Sequence, residues 1–239
     1  MSFRRLSDHQ PPGFAFTPGN DAWIEKEIRK YPPGRQASAV IALLWRGQEQ
    51  EGWVTKPMIE EVARRLDMPF IRVLEVATFY TMFNLAPVGR HLVQVCTTTP
   101  CWLAGSDEVV ATCRKHIAGK PETISSDGQF SWMEVECLGA CVNAPVMQIG
   151  RDYYEDLDGP MTEAILAALR RGEQPKPGSQ TGRHSSEPQG GLTTLTDRAL
   201  YARTPAHAGP AITDSDAKHS GAGGGARESP AQKPPGAAT

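Results

Sequence analysis

The chain has 239 residues, 25 Lys and Arg against 27 Asp and Glu, and a formal net charge of -2. That balance argues against nucleic acid or an anionic membrane as the main partner. Length allows one or two domains, and no apolar stretch approaches the eighteen or so residues a membrane span needs.

Met1-Ser2-Phe3-Arg4-Arg5 is basic, but no apolar segment follows it, so a secretory signal is not expected. Residues 1–19 are rich in Pro and Gly and contain Phe3, Phe14 and Phe16. They read as an irregular arm, either disordered or docked through its aromatics on a neighbour. Asn20 or Asp21 is expected to cap a helix through Ile28, which Tyr31-Pro32-Pro33-Gly34 ends. A second helix is expected from Gln36 to about Gln50, with Val40, Leu43 and Leu44 as its apolar stripe. Thr55 precedes Lys56-Pro57 as an N-cap would, and Met58, Ile59, Val62, Ala63 and Leu66 follow at helical spacing. Pro69 interrupts before a helix over Arg72 to Phe79. Short helices joined by tight turns also occur in DNA-binding proteins. Here the segment from Arg72 to Val76 is too apolar to read bases, and Glu60-Glu61 would repel phosphate.

The period changes after Gly89. His91 to Cys96 reads as a strand, with Val93 and Val95 on one face. Asp107 and Glu108 sit in the first turn of a helix that repeats Val109, Cys113 and Ile117. A hairpin is expected next, from Thr123-Ile124 through a Ser125-to-Gly128 turn to Phe130–Glu136. Val142 to Ile149 and Tyr153 to Glu155 read as strands, and Asp158-Gly159-Pro160 opens a last helix bearing Met161, Ile165, Leu166 and Leu169. Strand, helix, two or three strands and helix make a thin α/β layer. Residues 171–239 are dominated by Pro, Gly, Ser, Thr and Ala. They are too poor in large apolar groups to order a core, and the last thirty read as flexible. Within them only Gly190–Thr196 reads as a segment that could order against something larger, while the Gly-rich run 221–226 is not expected to bind a nucleotide.

Four of the five cysteines form two pairs, Cys96-x4-Cys101 and Cys137-x3-Cys141. Thiolates at such spacing suit Zn²⁺ or an iron-sulfur cluster. The residues between them favour the cluster: Thr97, Thr98 and Thr99 offer hydroxyls, and Gly139 and Ala140 let backbone N–H groups approach inorganic sulfide. Neither pair has the C-x-x-C spacing of a thiol-disulfide enzyme. Arg90 and Arg151 would add to the stabilisation of the cluster's charge only if the fold places them nearby. Cys113 reads as a buried structural thiol, His91 and His116 are not needed as ligands, and Glu134 and Glu136 read as a solvated face.

Val95 to Leu103, together with Glu136 to Pro145, closely resembles the family of E subunits of bacterial NADH-quinone oxidoreductase, respiratory complex I. The resemblance covers about residues 15–170. It implies an α+β chain: arm 1–19, helical bundle 20–86, a thioredoxin-like [2Fe-2S] ferredoxin domain 87–170, and a largely irregular extension 171–239. Cys96, Cys101, Cys137 and Cys141 would hold one [2Fe-2S] cluster, with no catalytic residue of the chain's own. FMN and NADH would sit on the flavoprotein partner, the F subunit, with the G subunit adjacent. The location implied is the peripheral arm at the cytoplasmic face of the inner membrane, membrane association being indirect. Related subunits occur in NAD-linked hydrogenases and formate dehydrogenases. Ser186 to Leu195 resembles an extension that runs along the flavoprotein partner, and residues 200–239 exceed the family pattern.

Overall fold

The computed structural model describes residues 4–191 and 193–197. Phe3, Leu192 of the Gly190–Thr196 segment and everything expected of residues 198–239 lie outside the described residues. Those described fall into two units, the first holding every element up to residue 191 and the second residues 193–197.

The first half is helical: α1 (Pro18–Ile28), α2 (Val40–Glu51), α3 (Lys56–Leu66) and α4 (Phe70–Phe79). Their shared core buries Ile24, Leu43, Leu44, Met58, Ile59, Val62, Val73 and Phe83. Thr55 caps α3 as expected, its hydroxyl accepting from the Met58 N–H at 3.1 Å. The α1 cap is Thr17, not Asn20 or Asp21, because Pro18 already fits the first helical turn. Pro69 caps α4 instead of delaying it, so that helix begins at Phe70. Gln36–Ala39 form a 3-10 turn ahead of α2. The arm is docked: Phe16 is buried in this core, and the Arg4 guanidinium donates to the carbonyls of Thr78, Tyr80 and Phe83.

The second half is a five-stranded sheet with two long helices. The elements are β1 (His91–Cys96), α5 (Thr99–Leu103), α6 (Ser106–His116), β2 (Phe130–Val135), β3 (Met147–Ile149), β4 (Asp152–Glu155), α7 (Gly159–Arg170) and β5 (Gly178–Ser179). Strand order is β2-β1-β3-β4-β5. Strands β1 and β2 run parallel with His91 opposite Phe130, while β3 is antiparallel to β1 and to β4. Val93, Val95, Val109, Cys113, Phe130, Trp132, Ile165 and Leu166 fill the core, so Cys113 is the structural thiol its spacing indicated. Burial pushes that thiol up to about 12.

The expected hairpin is corrected. The Ser125-to-Gly128 turn forms, with the Gly128 N–H donating to the Ser125 carbonyl at 2.8 Å, but residues 123–124 make no strand, and β2 pairs with distant β1. Residues 142–146 are not strand either. Cys141–Asn143 form a 3-10 turn, and β3 starts at Met147.

Two tests follow from this packing. A Cβ on Gly89 would lie 2.3 Å from the backbone carbon of Phe130, which cannot rotate away. Gly89→Ala is therefore expected to force β1 from β2 and cost about 1–3 kcal/mol in a urea titration. Asp127 accepts from the Ser125 hydroxyl, the Gln129 N–H and Arg170, and these hold its carboxyl down at about 2. The folded pKa lies below the unfolded value of about 3.9, so this stabilisation is present above pH ~4 and is lost as pH falls through about 2. Asp127→Asn should unfold earlier than the parent in urea at pH 6, the gap closing toward pH 2.

Candidate metal centre

The topology brings the two cysteine pairs together. Cys96 ends β1, and Cys101 lies in α5 one turn later. Cys137 follows β2, which is paired with β1 in parallel, so the two strands deliver their cysteines at the same end of the sheet. Cys141 opens the 3-10 turn leading toward β3.

The inner pair is buried, Cys96 and Cys101 each 1 % exposed, and packs with Val146 against Leu138, Ala140, Ala144 and Tyr153. Cys137 and Cys141 are exposed, their sulfurs 3.4 Å apart. Among the described residues no three Cys, His, Asp or Glu side chains converge to hold a single ion. The thiols stand as two pairs.

Donors surround them. The Thr98 hydroxyl lies 3.3 Å from the Cys96 sulfur, and the Gly139 N–H donates to Cys137 Sγ at 3.4 Å. Gly139 has φ +82°, the left-handed conformation that turns its N–H inward and that glycine adopts without strain. The Tyr153 hydroxyl fixes the Leu138 carbonyl at 3.0 Å, a positioning contact that sequence spacing did not reveal. Burial would raise the Cys96 thiol, yet bonds from the Thr98 hydroxyl and from the Leu138 and Thr98 backbone hold it below the usual value. Cys101 is pushed up to about 12, by burial and then by the Cys96 sulfur beside it. Cys141 is raised by its contact with Cys137, by burial, and by the charges of Cys137 and Cys96. A positive metal would favour the thiolate form of Cys101 and Cys141, which their neighbours oppose. Four soft donors, hydroxyl and N–H groups aimed at them, and small residues in the second loop therefore fit an iron-sulfur cluster.

The other charged and imidazole groups weighed in the sequence have partners of their own or face solvent. Arg151 pairs with Glu49 of α2 at 3.4 Å. Arg90 precedes β1 at the end opposite Cys96, roughly 20 Å away along six residues of strand. His91 stacks near Phe130 at 5.3 Å, its pKa lowered by burial and then by the Arg90 charge, and His116 faces Glu163 at 3.5 Å. Glu134 is exposed opposite Arg114 at 3.8 Å and Glu136 is exposed, as a solvated face requires.

Comparison with known proteins matches residues 24–170, more than half of the chain, to the model of the thioredoxin-like [2Fe-2S] ferredoxin family. An E subunit of the NADH-quinone oxidoreductase of Rhizobium meliloti (strain 1021) is 54 % identical over 200 residues, 82 % of this chain and 73 % of that protein. Its counterpart from Rickettsia bellii (strain RML369-C) is 54 % identical over 158 residues, 66 % of this chain and 95 % of that one. Among solved structures, an NAD⁺-reducing [NiFe]-hydrogenase in the H2-reduced state aligns with a TM-score of 0.50 at 17 % identity. That alignment covers 56 % of this chain and 22 % of the hydrogenase chain, and speaks to the fold alone.

Proposed function

The chain belongs to the thioredoxin-like [2Fe-2S] ferredoxin family, and from that premise we propose that it is the electron-transfer subunit of an NADH-quinone oxidoreductase, with one [2Fe-2S] cluster held by Cys96, Cys101, Cys137 and Cys141. The observation that carries the reading is the meeting of two cysteine pairs at one end of the sheet, which suits ligands divided between two irons. A single zinc would instead draw four donors to one point.

When bound, such a cluster supplies a site that takes up and releases one electron at a time. The chain's own part is to hold it and to moderate its charge. Hydrogen bonds from Thr98 and Gly139 favour negative charge on sulfur without a cationic side chain. Trp102 and Leu103, which follow Cys101, and Val142, which follows Cys141, are exposed and apolar, side chains that a partner could cover and dry.

The chain works as part of an oxidoreductase together with NADH-oxidising subunits. On this reading its neighbours are the FMN-bearing F subunit and the G subunit, and its place is the peripheral arm at the cytoplasmic face of the membrane. Among the described residues no helix is long and apolar enough to cross a bilayer. On the same reading the chain divides into an arm before α1, a helical bundle to about residue 86, a cluster domain 87–170 and an extension 171–239.

Co-expression tests the assignment. The purified chain should be reduced by dithionite and not by NADH, and NADH should reduce it once it is bound to a flavin-bearing partner. Co-purification with a nickel- or molybdenum-bearing subunit instead would place it in a hydrogenase or formate dehydrogenase and overturn the quinone-linked assignment.

A further inference from the structure

The family match ends at residue 170, yet the described structure continues as an ordered strap along β4. We propose that Arg183, within that strap, is a positioning residue for the cluster loop, fixing the backbone that follows Cys141. The inference rests on the reading of the four thiols as cluster ligands.

Arg183 and Asp156 form a buried ion pair, their side chains 10 % and 7 % exposed. Arg183 Nε donates to Asp156 Oδ2 at 3.0 Å and Nη2 to Oδ1, a two-point fork that only arginine makes. The same guanidinium donates to the Val142 carbonyl at 2.9 Å and to the Glu187 carbonyl at 3.0 Å. Val142 is the residue after Cys141. Ser179 and Thr181 hydroxyls complete the shell of Asp156. A second tie lies one residue on: Asn143 Nδ2 donates to Glu155 Oε2 at 2.6 Å and to the Ser185 carbonyl at 2.8 Å. The Asp156 N–H returns to the Asn143 carbonyl at 2.8 Å.

Residues 178–187 and 154–157 thus grip residues 142 and 143, the two that follow Cys141. A network bonded at so many points is stiff, even with the buried Asn143 Oδ1 left without a partner. Cys141 itself is exposed on a short turn, so the placement of its sulfur depends on what anchors that turn. Partners behind a ligand govern both retention of metal and the field around it.

The test compares full-length Arg183→Gln and Arg183→Lys with the parent, each loaded with cluster. Iron release to a chelator, the EPR line shape of the reduced state and the midpoint potential are measured, with circular dichroism as the check on folding. Arg183→Gln should release iron about 10-fold faster and show a broadened signal, and Lys, which keeps charge but not the fork, should fall between. Should Arg183→Gln fail to fold, Ser179→Ala and Thr181→Ala loosen Asp156 without stranding a buried charge, and should shift the same readouts in the same direction. Folded Arg183→Gln, or in its place the two hydroxyl variants, with parental release rate and spectrum would overturn the role of Arg183. A parent chain that binds no iron would instead overturn the proposed function beneath it.

Discussion

Cys96→Ser is expected to lower the iron bound per chain more than about tenfold, while Cys113→Ser leaves iron unchanged in whatever protein remains folded. Cys96 is buried at the end of β1, with the Thr98 hydroxyl and backbone N–H groups holding its pKa below the usual thiol value. Those contacts prepare it to be a thiolate. A serine there brings a far more basic oxygen that those donors cannot make into an equivalent soft ligand. Replacing groups that merely support a metal ligand costs about 10–100-fold in affinity, and losing the ligand should cost at least that. Cys137→Ser should behave alike, since its sulfur pairs with Cys141 at 3.4 Å. Cys113 sits between α6 and the sheet at 0 % exposure, among Val109, Ile117 and Trp132. Its serine variant buries a hydroxyl, at about 1–3 kcal/mol, and does not touch the metal. Iron analysis of the three variants beside their urea midpoints separates the two kinds of cysteine.

Trp132→Ala should bring the larger loss of stability. The indole is fully buried and its Nε1–H donates to the Ala118 carbonyl at 2.8 Å. Removing such a side chain costs about 3–5 kcal/mol through lost burial and the cavity left behind. An orphaned carbonyl adds about 1–3 kcal/mol unless water reaches it. Against a total stability of about 5–15 kcal/mol, that places the midpoint of thermal unfolding lower by about 15 °C or more. Trp132→Phe keeps most of the volume and should lose less than half as much. Because β2 carries Trp132 and then runs to Cys137, the alanine variant should also lose cluster in proportion to its unfolding.

The helices were legible because their stabilisation is written locally. Met58, Ile59, Val62 and Leu66 are one face of α3, and Thr55 announces its start. Ends were less secure: Pro69 read as a break and residues 1–19, Pro18 among them, as an irregular arm, although proline is well placed at a helix's first turn or just before it. The parallel pairing of β1 with β2 was not legible, since a turn such as Ser125-to-Gly128 marks a reversal but not the strand that its successor joins. Strand β5 was missed for the same reason. Gly178-Ser179 has no strand propensity of its own and is held by the edge of β4 and by the Asp156 network.

At the site, cysteine spacing and the Thr and Gly residues between the cysteines pointed to the two thiol pairs and to the kind of donor beside them. Thr98 and Gly139 make those contacts. Whether Arg90 and Arg151 stand beside the thiols was not legible, because proximity in sequence to a strand or turn does not say which end of the sheet a charge occupies; Arg90 precedes β1 at the end opposite Cys96, and Arg151 pairs with Glu49. Arg183 lay hidden in a segment whose Pro and Gly content read as irregular, and its partner Asp156 is twenty-seven residues earlier in the chain.

The most direct test of the central claim is a metal and sulfide analysis of the purified full-length chain, joined to EPR after dithionite reduction. About two irons and two acid-labile sulfides per chain, with a signal from one unpaired electron shared by two irons, are expected. One zinc per chain, no labile sulfide and no signal in well-folded protein would contradict it.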